Sequence, residues 1–361
     1  MDHDILLKKL DHYGIRGVAN KWFQSYLKSR WQYVSISGTD SDTNKVEYGV
    51  PQGSVLGPLL FLIYINDLHQ AIKFCKTRHF ADDTNLLINN SSLKQIKKDL
   101  NYDLRQLCNW LKANKISLNC SKTELIIFRN PKKQLNYDPK IKIGGKKLVA
   151  TDSVKYLGIM LDSHLNWSAH VDTLSTRLSR AVGMLAKIRY YVSEKTLRSI
   201  YFGIFSSILT YGSQIWGQYS NKYITRIEKI QNKAIRIINF KKHNDPVEPL
   251  YFTSKILKVS DHINLQNFLF VYNSLGDNLP LPFKDFFTIA AETHSHETRL
   301  SQHSIVLPKV RTLNYGLHSI RYRAAAFWNL MKSHFPKENF QKMSKSKCLK
   351  KIKNFLFEGY K

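Results

Sequence analysis

Apolar residues recur at helical spacing along much of this chain, with shorter alternating stretches between them. Ile5, Leu6 and Leu10 predict a helix over residues 4–13 that Gly14 ends, and Ala19, Trp22, Phe23, Tyr26 and Leu27 predict a second. Residues 32–37 alternate and read as a strand, as do residues 45–48. Residues 55–68 are apolar almost throughout and predict a buried helix. Residues 76–88 read as a hairpin with its turn at Asp82-Asp83. An amphipathic helix is expected over 93–112, with Ile96, Leu100, Leu104, Leu107 and Leu111 on one face. Residues 125–128 predict a short buried strand, and residues 141–143 and 147–149 flank Gly144-Gly145 as a hairpin. From residue 168 the pattern turns helical, with Leu174, Leu178, Val182, Leu185 and Ile188 on one face. Further helices are expected over 193–209 and 223–238. The run 241–249 carries two prolines and marks a boundary, after which a mixed region ends in a lysine-rich tail over 337–361. The sum is an α+β front half and a helical back half.

Composition changes the picture in one respect. The 361 residues hold 55 Lys and Arg against 27 Asp and Glu, a formal net charge of +28. Such a surplus points to a polyanionic partner, with nucleic acid the leading candidate. A generically basic structural protein is the plainer alternative. Hydrophobic content of 43% is enough for packed cores. The four cysteines, Cys75, Cys108, Cys120 and Cys348, lack paired C-x-x-C spacing and give no zinc site or disulfide framework. The polar N-terminus carries no secretion signal. The two uncharged stretches at 48–66 and 199–221 hold Gly, Ser, Gln or Thr throughout, so buried elements explain them better than a bilayer. An intracellular protein with no membrane partner is expected, in nucleus or cytoplasm.

Two local features carry candidate chemistry. Phe80-Ala81-Asp82-Asp83 puts two adjacent carboxylates at a hairpin tip between apolar strands. Hard oxygen ligands of this kind suit Mg²⁺, which binds through one or two carboxylates together with substrate phosphates. A solvated Asp-Asp turn is the ordinary alternative. The second feature is the loop Gly49-Val50-Pro51-Gln52-Gly53-Ser54. Gly53 permits a tight turn, Ser54 can cap the following helix, and Gln52 has an amide fit for a base or sugar edge. An ordinary Gly/Pro turn would use the same residues.

In order and spacing, Val50-Pro51-Gln52-Gly53-Ser54-Val55-Leu56-Gly57-Pro58-Leu59-Leu60-Phe61, Tyr64-Ile65-Asn66-Asp67-Leu68 and Phe80-Ala81-Asp82-Asp83 resemble the palm of non-LTR retrotransposon reverse transcriptases of the jockey-like kind. Trp22-Phe23-Gln24-Ser25-Tyr26-Leu27 is similar to the family's preceding segment, and Trp110-Leu111 through Lys122-Thr123 to its next palm motif. Lys155-Tyr156-Leu157-Gly158 is similar to the hairpin that grips the primer end. Asp162, Trp167, His170, Tyr211-Gly212 and Gln231-Asn232-Lys233-Ala234 resemble its thumb and the region beyond, and Asn314-Tyr315-Gly316 with Trp328-Asn329 its C-terminal end.

The resemblance implies a partial right-hand polymerase palm, an antiparallel sheet with helices, followed by a helical thumb and C-terminal region. It divides the chain into a partial fingers and palm (1–150), a primer-grip hairpin and thumb-like region (151–240), and a basic C-terminal region (241–361). It implies an RNA-directed DNA polymerase of a mobile element, working on an RNA template and DNA primer with deoxynucleoside triphosphates and Mg²⁺ or Mn²⁺. Asp82 and Asp83 match the paired metal-site aspartates. Pro51, Gln52, Gly53 and Ser54 match the loop that meets template and nucleotide. Lys122 matches a lysine near the leaving pyrophosphate, although a surface lysine would look the same. Tyr156, Leu157 and Gly158 match the primer grip.

The family's first palm motif ends in a segment like Asp2-His3-Asp4-Ile5-Leu6, so its earlier carboxylate would fall before Met1. Asp2 and Asp4 are expected to open a helix rather than replace it. On this reading the chain is N-terminally truncated and inactive alone, since phosphoryl transfer between two metal ions needs the bridging carboxylate. A non-catalytic nucleic-acid-binding remnant is the alternative. His294, His296 and His303 form a further histidine group, for which a polar loop is the simpler explanation.

Overall fold

The structure is a computed structural model that describes residues 1–132, 140–218, 220–290 and 304–361. The histidine group at 294, 296 and 303 lies outside the described residues. The described chain forms two compact units, Met1–Thr151 and Asp152–Lys361.

The first unit opens with α1 (His3–His12), capped by the Asp2 carboxylate, which accepts from the Ile5 amide at 3.0 Å. Then come α2 (Gly17–Leu27) and four two-residue strands: β1 (Trp31–Gln32), β2 (Ser35–Ile36), β3 (Thr39–Asp40) and β4 (Asn44–Lys45). β1 pairs with β4 and β2 with β3, both antiparallel. The single strand expected over 32–37 is therefore two. Its alternating side chains are exposed throughout, and no buried face holds one register.

Next, α3 (Leu56–Ile65) continues as a 3₁₀ turn, Asn66–Ala71. The long ribbon β5 (Lys76–Phe80) and β6 (Asp83–Leu87) follows, then α4 (Leu93–Ala113), whose N-cap is Ser92. Short strands β7 (Leu125–Ile126), β8 (Lys142–Ile143), β9 (Lys146–Lys147) and β10 (Ala150–Thr151) complete the unit. β8 and β9 make the hairpin expected around Gly144-Gly145, while β7 pairs in parallel with β10.

Among its described residues the first unit has two apolar clusters. Leu6, Leu10, Leu27, Leu60, Tyr64 and Ile65 join α1, α2 and α3. Leu100, Leu104, Leu107 and Leu111 of α4 pack with Leu68, Ile141, Ile143 and Leu148. The expectation that α3 is buried holds for one side only. Gly57, Leu60 and Tyr64 are buried, but Val55, Leu59 and Leu62, at the i, i+4, i+7 spacing of the other side, are exposed. Among the described residues each sheet has two strands, five pairs being antiparallel and one parallel. The result is a mixed α and β fold, with ribbons where a single palm sheet was expected. Strands of two residues cannot carry the ladder that a larger sheet needs.

The second unit starts with the hairpin β11 (Ser153–Tyr156) and β12 (Ile159–Asp162). Helices α5 (Ser168–Ile188), α6 (Glu194–Ile200), α7 (Ser207–Thr210), α8 (Ser213–Trp216), α9 (Asn221–Ile238), α10 (Glu248–Ser254) and α11 (Val259–Leu275) follow. A π-helical turn, Tyr201–Ser206, joins α6 to α7. The last helices are α12 (Ile320–His334) and α13 (Lys345–Glu358). Helices on both sides of residue 241 share one core, which runs from Ile159 to Tyr360 and includes Trp216, Phe268 and Trp328. The lysine-rich tail is also structured. Cys348, Ile352 and Leu356, four residues apart, bury one side of α13 and leave Lys345, Lys347, Lys350 and Lys353 exposed, while Lys351 pairs with Glu338. Among the described residues no helix is long and apolar enough to cross a membrane.

Candidate active site

The β5–β6 ribbon presents the two carboxylates. Phe80 pairs with Asp83, so the turn is Ala81-Asp82, one residue earlier than the sequence pattern implied. Asp82 occupies the tip and Asp83 opens β6. Both are exposed. Ala81 has φ of 50°, where two-residue turns favour glycine. An alanine there costs about 1 kcal/mol, a strain of the kind that collects at functional turns. The flanking strands are largely exposed rather than apolar and buried, although Leu86 packs against the α4 cluster, so the ribbon also draws on support at its root.

That support comes from Asp103 on α4. Its fully buried carboxylate accepts from the backbone amides of Lys73 at 3.0 Å, Phe74 at 2.9 Å and Cys75 at 2.7 Å, immediately before β5. Three charge-assisted bonds to consecutive amides fix the direction in which β5 leaves. The same carboxylate, after burial, pushes the Cys75 thiol up to about 12, so this cysteine stays a neutral thiol. Within the ribbon, His79 lies 3.2 Å from the Thr84 hydroxyl, and burial, then nearby His69, hold it below its ordinary value.

The loop before α3 is built as the sequence suggested. The Ser54 hydroxyl accepts from the Gly57 amide at 3.0 Å, capping the helix, and donates to the Pro51 carbonyl at 2.8 Å. Gly57 suits the close approach here, since a Cβ would lie 3.0 Å from Ser54 Oγ and 3.3 Å from Pro51 O and would press both back by a few tenths of an ångström. This folding leaves Gln52 and Gly53 exposed at the apex. Lys122 ends a 3₁₀ turn, Cys120–Lys122, organised by the Asn119 side chain, and is exposed. Among the described residues no hydrogen bond or ion pair links the Pro51–Ser54 loop, the ribbon tip and Lys122.

Asp2 and Asp4 are engaged otherwise. Asp2 caps α1 and pairs with Lys115 at 2.6 Å, which holds its carboxyl below the usual range. Asp4 pairs with Lys28 at 2.7 Å, and that hydrogen bond likewise lowers it. Both serve the opening helix, as expected. Among the described residues no group of three or more His, Cys, Asp or Glu forms a metal cage. Asp82 and Asp83 put two adjacent, exposed carboxylates at the ribbon tip, a donor set that would suit Mg²⁺ only with phosphate oxygens added to it.

In the second unit, Tyr156, Leu157 and Gly158 close the β11–β12 hairpin. Leu157 and Gly158 both have positive φ, 45° and 83°, which defines a two-residue hairpin turn twisted like its strands. The Tyr211 hydroxyl donates to the Leu157 carbonyl at 2.5 Å, and a Cβ at Gly158 would meet the Tyr211 ring at 3.3 Å. Asp162, at the end of β12, accepts from the amides of His164, Asn166 and Trp167 and shapes the turn into α5. Sequence reasoning picked out Tyr211 only through the thumb resemblance and Asp103 not at all. The available signal for Asp103 was a carboxylate beside Leu104, on the apolar face of a long helix.

Residues 1–161 match a family described as reverse transcriptase (RNA-dependent DNA polymerase). This part of the chain is a LINE-like reverse transcriptase region. The chain is 30% identical over 248 residues to a probable RNA-directed DNA polymerase from transposon X-element of Drosophila melanogaster, covering 67% of this chain and 27% of that protein. It is 28% identical over 227 residues to the RNA-directed DNA polymerase from mobile element jockey of the same fly, covering 60% and 24%. A putative 115 kDa protein in type-1 retrotransposable element R1DM is 27% identical over 199 residues, covering 54% and 19%. The matched stretch thus spans about a quarter or less of these relatives' length. The reverse transcriptase region contains Asp82, Asp83, Lys122 and the Pro51–Ser54 loop, and ends within the β11–β12 hairpin.

Proposed function

We propose that this chain contributes the nucleotide end of a reverse-transcriptase active site, for RNA-templated extension of a DNA primer by deoxynucleoside triphosphates. The observation that carries the proposal is the exposed Asp82-Asp83 pair at the end of a ribbon whose root is clamped by Asp103. Two carboxylates held at a fixed tip suit a hard divalent cation, Mg²⁺ or Mn²⁺, together with triphosphate oxygens. When bound, such an ion neutralises phosphate charge and helps align the attacking and leaving oxygens. Asp82 is the principal ligand and Asp83 the second.

Gln52 and Gly53, exposed at the apex of a loop fixed by Ser54 and Pro51, contact the template and incoming nucleotide. Lys122 offers a cation to the departing pyrophosphate. Tyr156, Leu157 and Gly158 seat the primer end, with Tyr211 holding the turn in shape.

Titration of a deoxynucleoside triphosphate into the folded chain, with and without Mg²⁺ or Mn²⁺, tests the reading. Metal-dependent binding is expected, weakened at least about tenfold in Asp82→Ala, a loss of about 1.4 kcal/mol. The thermal midpoint should hardly move, because Asp82 is exposed and its removal relieves repulsion with Asp83. Metal-dependent nucleotide binding that survives Asp82→Ala would defeat the proposal. Primer–template binding with no metal-dependent nucleotide binding would instead favour a non-catalytic nucleic-acid-binding role.

A further inference from the structure

The second unit carries a group of aromatic and cationic side chains that the roles above leave unused. It lies where α5 and α9 both end. Arg189 follows the last residue of α5, and its guanidinium lies over two rings, Tyr190 at 5.1 Å and Phe240 at 5.4 Å from their centroids. One cation thereby brings together the residues that leave two different helices. Its Nε is buried with no hydrogen-bond partner. The rings stay open to solvent all the same. Tyr190 is 79% exposed, the adjacent Tyr191 85% and Phe240 45%. Exposed Lys241 and Lys242 continue the chain, and exposed Lys187 lies on the last turn of α5.

Helix ends alone do not explain this arrangement. Cations at two helix C-termini suit the negative ends of the helix dipoles, so Lys187 and Arg236 need no other reason. Three large rings in water do. Phe240 also has φ of 55°, at the position after a helix where glycine is usual. The left-handed turn itself closes the helix, with the Lys241 amide donating to the Arg236 carbonyl at 2.9 Å, but that closure does not call for an aromatic ring half in water. The nearest acidic residue on the connecting turn, Asp245, spends its carboxylate on the Lys242 amide at 2.8 Å, while its carbonyl takes Arg236 at 2.8 Å. The face keeps its positive character.

Exposed rings set among lysines and arginines have the chemistry of a platform for single-stranded nucleic acid. Unpaired bases stack on the rings, while cations follow the phosphates. We infer that Tyr190, Tyr191 and Phe240, with Arg189, Lys241 and Lys242, form a binding site for an unpaired strand of DNA or RNA. Duplex, whose bases are stacked on each other, offers this surface only its phosphates.

The inference does not depend on Asp82 or on nucleotide binding, so the two stand or fall separately. Its test uses the full chain and two fluorescein-labelled strands of about 12 nucleotides, oligo-dT and an abasic strand of equal length, read by anisotropy. The wild-type chain should hold oligo-dT more tightly than the abasic strand. Tyr190→Ala combined with Phe240→Gly should weaken oligo-dT binding by about tenfold or more and leave the abasic strand unchanged. Glycine suits the backbone at 240, and an unshifted thermal midpoint checks the fold. Tyr190→Phe, which keeps a ring, should bind as wild type. Lys241→Ala with Lys242→Ala should weaken both strands alike. Equal affinity of the wild-type chain for the two strands overturns the inference. So does oligo-dT binding that the aromatic variants leave intact.

Discussion

His170 and His262 show how single buried side chains set a limit on the second unit. His170 is buried against Trp216, with Nε2 lacking a hydrogen-bond partner, and burial, then Arg177, lowers it to about 4. His262 is also lowered to about 4, by burial and then Lys353, while its Nε2 lies 2.8 Å from the Thr210 hydroxyl. Both are neutral in the folded chain and take up protons first in the unfolded one. Their contribution is complete above the unfolded value near 6.5 and is lost as pH falls from there towards 4. Each can remove at most about 1.4 kcal/mol per pH unit across that window. Thermal melts of the full chain at a series of pH values should show the second unit's transition falling below about pH 6.5. A midpoint flat down to pH 4 would contradict the assignment. No sequence pattern announced these shifts. His170 was legible only as part of a family resemblance, because burial depends on Trp216, 46 positions away in the chain.

The helices are the elements that the sequence made plain. Long 3.6-residue periodicity located α4, α5 and α9 to within a few residues, since each repeats its apolar stripe over several turns. Two-residue strands carry no period at all, so β1 to β4 were read as fewer, longer pieces. Hydrophobicity without a period misled at α3, where a helix apolar all round was expected to be enclosed. Only one side is, and Val55, Leu59 and Leu62 remain in water. Polar replacement of that stripe should therefore cost little stability. Leu59→Gln with Leu62→Gln is expected to keep the thermal midpoint within a few degrees, a change of less than about 1 kcal/mol, and to reduce association of the isolated chain. A midpoint lowered by ten degrees or so would mean that the stripe is packed in solution.

At the scale of the whole molecule, charge was fully legible and geometry was not. A formal net charge of +28 requires only counting, and it leads to a quantitative expectation. Binding of a primer–template duplex releases counterions, so log affinity should fall linearly with log salt, with a slope near −0.9 for each phosphate neutralised. Affinity that does not change between low and moderate salt would separate the charge from nucleic-acid binding. The candidate metal ligands were also legible, because Asp82 and Asp83 are adjacent and stand in a recognisable setting. What holds them was not. Asp103 acts on the backbone amides of residues 73–75, and amides look the same in every sequence. That anonymity has a consequence for how the molecule accumulates change. Any residue but proline supplies the N–H that Asp103 needs, so the clamp itself tolerates drift at the exposed positions 73 and 74, whereas Cys75 also packs against the α4 cluster. Position 103 has no such latitude: asparagine keeps the shape but gives up the charge, and alanine leaves three amides without their shared acceptor. A neutral-looking carboxylate on a distant helix is thus where substitutions would first loosen the root of the ribbon.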